Sequence, residues 1–209
     1  MNSQAASVGS APVVLVDLLP KPSLRSRAIA RDVALVIGFA LLTAAAAQVQ
    51  FSLGFTPVPL TGQTFAVLLS GAALGMKRGA ASQIAYWSMG LVGLPFYSGG
   101  DGGWKSGTGA TFGYFIGFVL AAAIVGRLAE RRHDREVTSS LAAMTLGTIV
   151  IYVAGALWLS HAINVPLAKG DVNAISLGVT PFLVGDIFKM VLAGVLTPVV
   201  WATFSRKDS

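Results

Sequence analysis

The 209 residues include no cysteine, two histidines, and only 11% aspartate, glutamate, lysine and arginine. Without cysteine there can be no disulfide and no thiolate metal site. His133 and His161 stand far apart, with no HExxH pair and no carboxylate cluster beside them, so a catalytic zinc or di-iron centre has no ligand set. The shortage of charge excludes most. A soluble domain stays dispersed behind a surface of roughly a quarter to a third charged residues, and this chain cannot supply one. What it has instead is apolar: 54% of the residues are hydrophobic and the mean hydropathy is strongly positive. That is the composition of a membrane protein, with lipid covering much of the surface.

The net charge of +6 would suggest nucleic acid on a soluble face, but its distribution excludes that partner. Basic residues come in packets between apolar runs: Lys21, Arg25, Arg27 and Arg31, then Lys77 and Arg78, then Arg127 to Arg135, then Arg206 and Lys207. The alternate boundaries carry only Lys105 and Lys169, accompanied by Asp101 and Asp171. Under the positive-inside rule this alternation places both termini in the cytoplasm and requires an even number of spans.

Apolar runs at residues 33–49, 63–76, 80–94, 111–128, 141–162 and 182–204 supply six. The expected fold is therefore an all-α integral membrane protein, a bundle of six transmembrane helices formed by residues 29–205. Residues 1–28 are expected to be a disordered or surface-lying tail, since they lack the arrangement of a signal peptide. The second run is short against the roughly 20 residues that a bilayer crossing needs, and residues 50–62 are expected to dip and extend it. Pro181 suits the first turn of the last helix. Small residues recur at fourfold spacing: Ala40 and Ala44, Gly71 and Gly75, and Gly113, Gly117 and Ala121. Such spacing lets helix backbones approach closely. For the later sets this reads as packing inside the bundle, whereas Ala40 and Ala44, on a plain apolar helix, read equally as a docking stripe for another membrane protein.

Within the apolar runs one pair of ionisable residues stands out, Asp186 and Lys189. Their i,i+3 spacing puts them on one helical face. Charge at membrane depth costs several kcal/mol unless it meets partners or a water-filled cavity, so both are expected to point into the bundle. Counted from Pro181 they lie about 8–12 Å below the outer end of the helix, where a pocket opening outward would hold them. Asp186 would accept from ligand N–H groups and Lys189 would donate to a ligand oxygen or carboxylate. The loop LPFYSGGDGGWKSGTGA is rich in glycine, which permits close approach, and Phe96, Tyr97 and Trp104 offer flat apolar surface; it reads as a lid. The loop FTPVPLTGQT, stiffened by Pro57 and Pro59, offers Thr61, Gln63 and Thr64 as an opposite wall.

Other motifs fail. In GGDGGWKS a tryptophan separates Gly103 from Lys105, so no phosphate loop is present, and GTGATFG lacks dinucleotide spacing and any strand before it. There is no GxSxG. A membrane enzyme using Asp186 or His161 as acid or base would need a nucleophile or metal set that the sequence does not offer. No catalytic residue, metal or cofactor is expected.

TPVPLTGQT, then LSGAALGMKRGAASQIAYWSMGLVGLPFYSGGDGG, GATFGYFIGF and GDIFKM together resemble the BioY family, the biotin-specific substrate-binding subunits of energy-coupling-factor transporters. The likeness covers about residues 33–204. Ala110 stands where many members have proline. The resemblance implies a multi-pass subunit in the plasma membrane of a prokaryote, surrounded by lipid. It captures biotin outside and docks on a transmembrane coupling subunit driven by paired ATP-binding-cassette ATPases. It implies substrate contacts at Asp186 and Lys189, loop contacts around Ser98, Gly99 and Gly100, and pocket walls at Tyr86 and Tyr114, with Gln63 from the first external loop. It also maps partner docking onto Ala40 and Ala44. The same architecture serving another vitamin is the alternative.

Overall fold

The computed structural model describes residues 13–19 and 22–205. Among them are eight α-helices: α1 (Arg25–Gln48), α2 (Gln63–Leu74), α3 (Met76–Leu91), α4 (Trp104–Gly107), α5 (Phe112–Glu130), α6 (Val137–Ala162), α7 (Ala174–Gly178) and α8 (Leu183–Ser205). The six expected runs each fall on a helix of twelve residues or more. The first begins earlier than its apolar core, at Arg25, because the charged turns before residue 33 continue the helix. Among the described residues four stretches are long and apolar enough to cross a membrane: Arg25–Gln48, Phe112–Glu130, Val137–Ala162 and Ala174–Phe204. Pro181 lies in the 3₁₀ turn Thr180–Phe182 that runs directly into α8.

The short second helix is explained by its surroundings. Twelve residues rise about 18 Å, well under the hydrocarbon thickness of about 30 Å. Yet α2 is enclosed by protein on nearly every side, with Ala66, Val67, Leu68, Ser70, Gly71, Ala72, Ala73 and Leu74 all buried. Non-helical backbone at membrane depth is tolerated where it is covered or lines a cavity. Here that backbone is a two-residue hairpin, β1 (Gln50–Phe51) paired antiparallel with β2 (Leu60–Thr61), Gln50 opposite Thr61. Its connecting loop is tied down by Thr56, whose hydroxyl donates to the Leu177 carbonyl at 2.7 Å.

The centre of the bundle is α5, which packs on α2, α3 and α6, while α8 packs on α6 and α2 and α1 on α3 and α2. Small residues make these approaches possible. A β-carbon on Gly71 would lie 2.6 Å from the Ala122 carbonyl oxygen, a backbone atom of α5 that cannot move aside. Gly75, at φ +82°, makes the sharp turn from α2 into α3, and its neighbour Met76 donates its N–H to Glu130 at the far end of α5, 2.9 Å away.

Two expectations change. Ala40 and Ala44 are 0% and 5% exposed and share a core with Val67 and Tyr86, so they do not present a docking stripe. The reason is polar as well as steric: beside them Thr43 donates to Gln83 across the α1–α3 contact at 3.3 Å, and this buried bond fixes which face of α1 turns inward. The outward face carries Ala34, Gly38, Leu41, Leu42 and Ala45. The expected tail is also more structured than its composition suggests. Residues 13–19 contain a 3₁₀ turn whose Val14 and Val16 pack with Leu74 and Ala129. Arg78 holds that segment through Asp17 at 3.4 Å and reaches Asp32 of α1 at 3.1 Å. The remainder of that tail up to Pro12, with Pro20 and Lys21, lies outside the described residues.

Gly71→Val is expected to destabilise the bundle by about 1–3 kcal/mol through overpacking. A thermal melt of the purified protein in detergent, followed by loss of the monodisperse chromatographic peak, checks this, and an unchanged melting temperature would contradict the close α2–α5 contact.

Candidate functional site

At the end of the bundle where α1 finishes and α5 begins, the hairpin loop, the glycine-rich loop and the first turn of α8 surround a cavity of about 730 Å³. A cavity of this size holds a small organic molecule. Its walls are chemically uneven. Tyr97, Tyr114, Phe115, Phe118, Ile151 and Phe182 supply apolar surface, Thr61, Gln63, Thr64, Tyr152 and Asp186 supply polar groups, and Asp101, Lys105 and Ser106 border it from the glycine-rich loop.

Asp186 is the polar focus. It is 5% exposed, on an otherwise apolar helix, and a carboxylate taken out of water must be compensated by donors. Three side chains supply them. Thr64 donates to Oδ1 at 2.9 Å, Lys189 Nζ donates to the same oxygen at 2.7 Å, and the Tyr152 hydroxyl donates to Oδ2 at 2.6 Å. Thus α2, α6 and α8 converge on one group. Lys189 also donates to the Thr61 carbonyl, at the end of the hairpin. Its ammonium therefore stands behind Asp186, joining α8 to the hairpin, and it is absent from the cavity wall. The expectation of a direct ligand donor at Lys189 gives way to a positioning one, because two of its three hydrogens go to the backbone carbonyl and the carboxylate and the group does not line the cavity.

Gln63 lines the cavity with its amide fixed at both ends: the oxygen accepts from Thr61 Oγ1 at 2.8 Å and the nitrogen donates to the Tyr86 hydroxyl at 2.7 Å. Tyr86 itself is fully buried one layer behind, edge-on to Tyr97 and Phe115 with ring centroids 5.9 and 6.0 Å away. It backs the wall rather than forming it. Tyr114 does form wall, with its hydroxyl anchored on the Gly178 carbonyl at 2.6 Å. Ser98 also lines the cavity and donates to Gln50 of β1 at 3.0 Å. Gly99 and Gly100 do not line it. They hold φ +76° and +75°, the left-handed values that let the chain turn after Ser98.

The glycine-rich loop is pinned rather than loose. Trp87 Nε1 donates to the Gly107 carbonyl and Trp158 Nε1 to the Gly109 carbonyl, each at 2.9 Å. Gly103 N–H donates to Gly90 O at 2.8 Å, and the Tyr97 hydroxyl to Trp87 O at 2.7 Å. The result is a fixed ledge carrying the short α4. On it, Asp101 accepts from Ser106 Oγ at 2.6 Å and from Gly102 N–H at 2.7 Å. Those bonds, helped by the nearby Lys105, hold its carboxyl below the usual range, so it is ionised at neutral pH. Trp104, expected over the ligand, is 70% exposed on the outside of the ledge.

Sequence reasoning missed Tyr152, Phe118 and Phe182. Each sits in an apolar run where an aromatic residue is unremarkable, and only the folded arrangement brings the Tyr152 hydroxyl to Asp186.

Comparison with known proteins gives this geometry a context. The BioY family profile matches residues 6–206. A protein of Pyrococcus horikoshii named as a probable biotin transporter is 39% identical over 167 residues, 80% of this chain and 94% of the relative. A biotin transporter of Rhizobium etli is 33% identical over 174 residues, 79% of this chain and 90% of the relative. Among solved structures, the S-component for biotin from an ECF-type ABC transporter superposes with a TM-score of 0.75 at 25% identity, covering 86% of this chain and 95% of that one. These relatives are prokaryotic transport proteins, and the apolar helices make this chain a multi-pass protein of the cell membrane. The profile match over nearly the full length, together with near-complete coverage of these relatives, establishes that the chain belongs to the BioY family.

Proposed function

We propose that this chain captures biotin and acts in its uptake as the substrate-binding subunit of an energy-coupling-factor transporter. The observation that carries the reading is Asp186, a buried carboxylate on a membrane helix that forms part of a cavity wall. Biotin offers ureido N–H donors, an apolar thioether ring and an aliphatic tail ending in a carboxylate. The carboxylate of Asp186 suits the ureido donors, Gln63 and Thr64 suit the ureido oxygen and nitrogens, and Tyr114, Phe115 and Phe118 suit the ring. Ser98 offers a hydroxyl on the loop side, while Tyr86 holds Gln63 in place and Gly99 and Gly100 set the turn that presents Ser98. Lys189 acts through Asp186 and the Thr61 carbonyl.

In this reading all six principal helices belong to the membrane domain and both termini are cytoplasmic, as the basic packets at Arg25 to Arg31, Lys77 and Arg78, and Arg127 to Arg135 indicate. The cavity lies at the opposite end of the bundle and opens to the outside. Energy comes from separate subunits, a transmembrane coupling protein and paired ATPases, and the chain itself needs no cofactor.

Two experiments test the site. Asp186→Asn is expected to weaken biotin binding at least tenfold in calorimetry on purified protein, because a carboxylate acceptor is worth more than an amide one; unchanged affinity would reject Asp186 as the ligand's acceptor. Lys189→Met leaves the buried carboxylate short of its cation and is expected to cost about 3–5 kcal/mol of stability. Combining it with Asp186→Asn is expected to recover much of the melting temperature without recovering biotin binding. Recovery of both would show that the pair serves folding alone.

A further inference from the structure

The cavity has a second polar end, and its charge is unassigned. Lys105 lies on α4, borders the cavity and is exposed. Among the described residues its ammonium makes no ion pair, in contrast to Lys189, which is committed to Asp186 and the Thr61 carbonyl. The other charged group on the ledge is Asp101, whose carboxylate accepts from Gly102 N–H and Ser106 Oγ and feels the charge of Lys105 without forming an ion pair with it among the described residues. The hairpin loop facing the ledge, residues 52–59, contains no charged residue. The backbone that carries Lys105 is held in place, since Gly103 N–H is bonded to Gly90 O and Gly107 O accepts from Trp87. The held backbone thereby carries an exposed ammonium, beside the Asp101 carboxylate, to one end of the cavity, while Asp186 lies at the other.

Building on the reading of this cavity as the biotin site, we propose that Lys105 is a specificity-determining residue that receives the ligand's terminal carboxylate at the mouth. The ring system then points inward to Asp186, Thr64 and Tyr152, and the aliphatic tail runs outward past Tyr97 and Phe115. Lys105 supplies a cation for a ligand's anion at this end, partly offset by the neighbouring Asp101, and Asp186 supplies an acceptor for ligand donors at the other. A neutral or cationic tail lacks that attraction. Because Lys105 is solvent-exposed, its contribution is that of a screened ion pair, up to about fivefold in affinity.

The test uses the full chain purified in detergent and two ligands with the same ring system, biotin and biotin methyl ester, whose tail is uncharged. Wild type is expected to prefer biotin by about two- to fivefold. Lys105→Ala is expected to bind the two equally, by losing affinity for biotin and keeping it for the ester, and Lys105→Arg is expected to restore the preference. Retained ester binding shows that the alanine variant is folded. A preference for biotin that persists in Lys105→Ala, or is absent from wild type, would overturn the assignment of Lys105 while leaving the biotin site intact. Failure of wild type to bind either ligand would overturn the site reading and this inference with it.

Discussion

One carboxylate organises the half of this protein that holds the cavity. Placing Asp186 inside a bundle surrounded by lipid is costly on its own, and the structure compensates it with a threonine from α2, a tyrosine from α6 and a lysine one turn further along α8. Because Lys189 also holds the Thr61 carbonyl, the same centre fixes the end of the hairpin. Three helices and a loop are therefore registered against one another by a group that still faces a cavity. A wholly structural ion pair is often replaceable by apolar side chains with no loss of stability. A carboxylate kept at a cavity wall is instead available to a ligand.

The apolar half of the design is as specific as the polar half. Close backbone approach at Gly71 lets α2 lie flat against α5, and the short α2 leaves room at its beginning for the hairpin and the cavity. The glycine-rich loop owes its shape to anchors outside itself, the indoles of Trp87 and Trp158 and the hydroxyl of Tyr97. A loop whose composition suggests mobility is thus a rigid ledge. Rigid walls reduce the ordering cost of binding.

Much of this was legible in the sequence, and the omissions have physical causes. Alternating basic packets and apolar runs located the six principal helices to within a turn or two, except where charged residues extended α1 back to Arg25. The spacing of Asp186 and Lys189 singled out the polar centre, since charge in an apolar run has few explanations. The separate duties of the two residues were not legible, because they depend on where the Thr61 carbonyl ends up. Tyr152 was invisible for a similar reason: an aromatic residue in a membrane helix carries no signal until its hydroxyl has a partner. The small residues Ala40 and Ala44 misled, as fourfold spacing reports close packing without saying which neighbour is packed against. The buried Thr43–Gln83 contact settles that face.

The claim on which the account rests is that Asp186 faces the cavity to accept hydrogen bonds from a ligand's ureido N–H groups. The most direct measurement compares equilibrium binding of biotin to the wild-type chain with that of biotin bearing a carbomethoxy group on a ureido nitrogen, a change that removes one donor and leaves the tail untouched. The account predicts that the blocked ligand binds more than about tenfold less tightly, the scale of a lost charge-assisted hydrogen bond. Equal affinity for the two would contradict it.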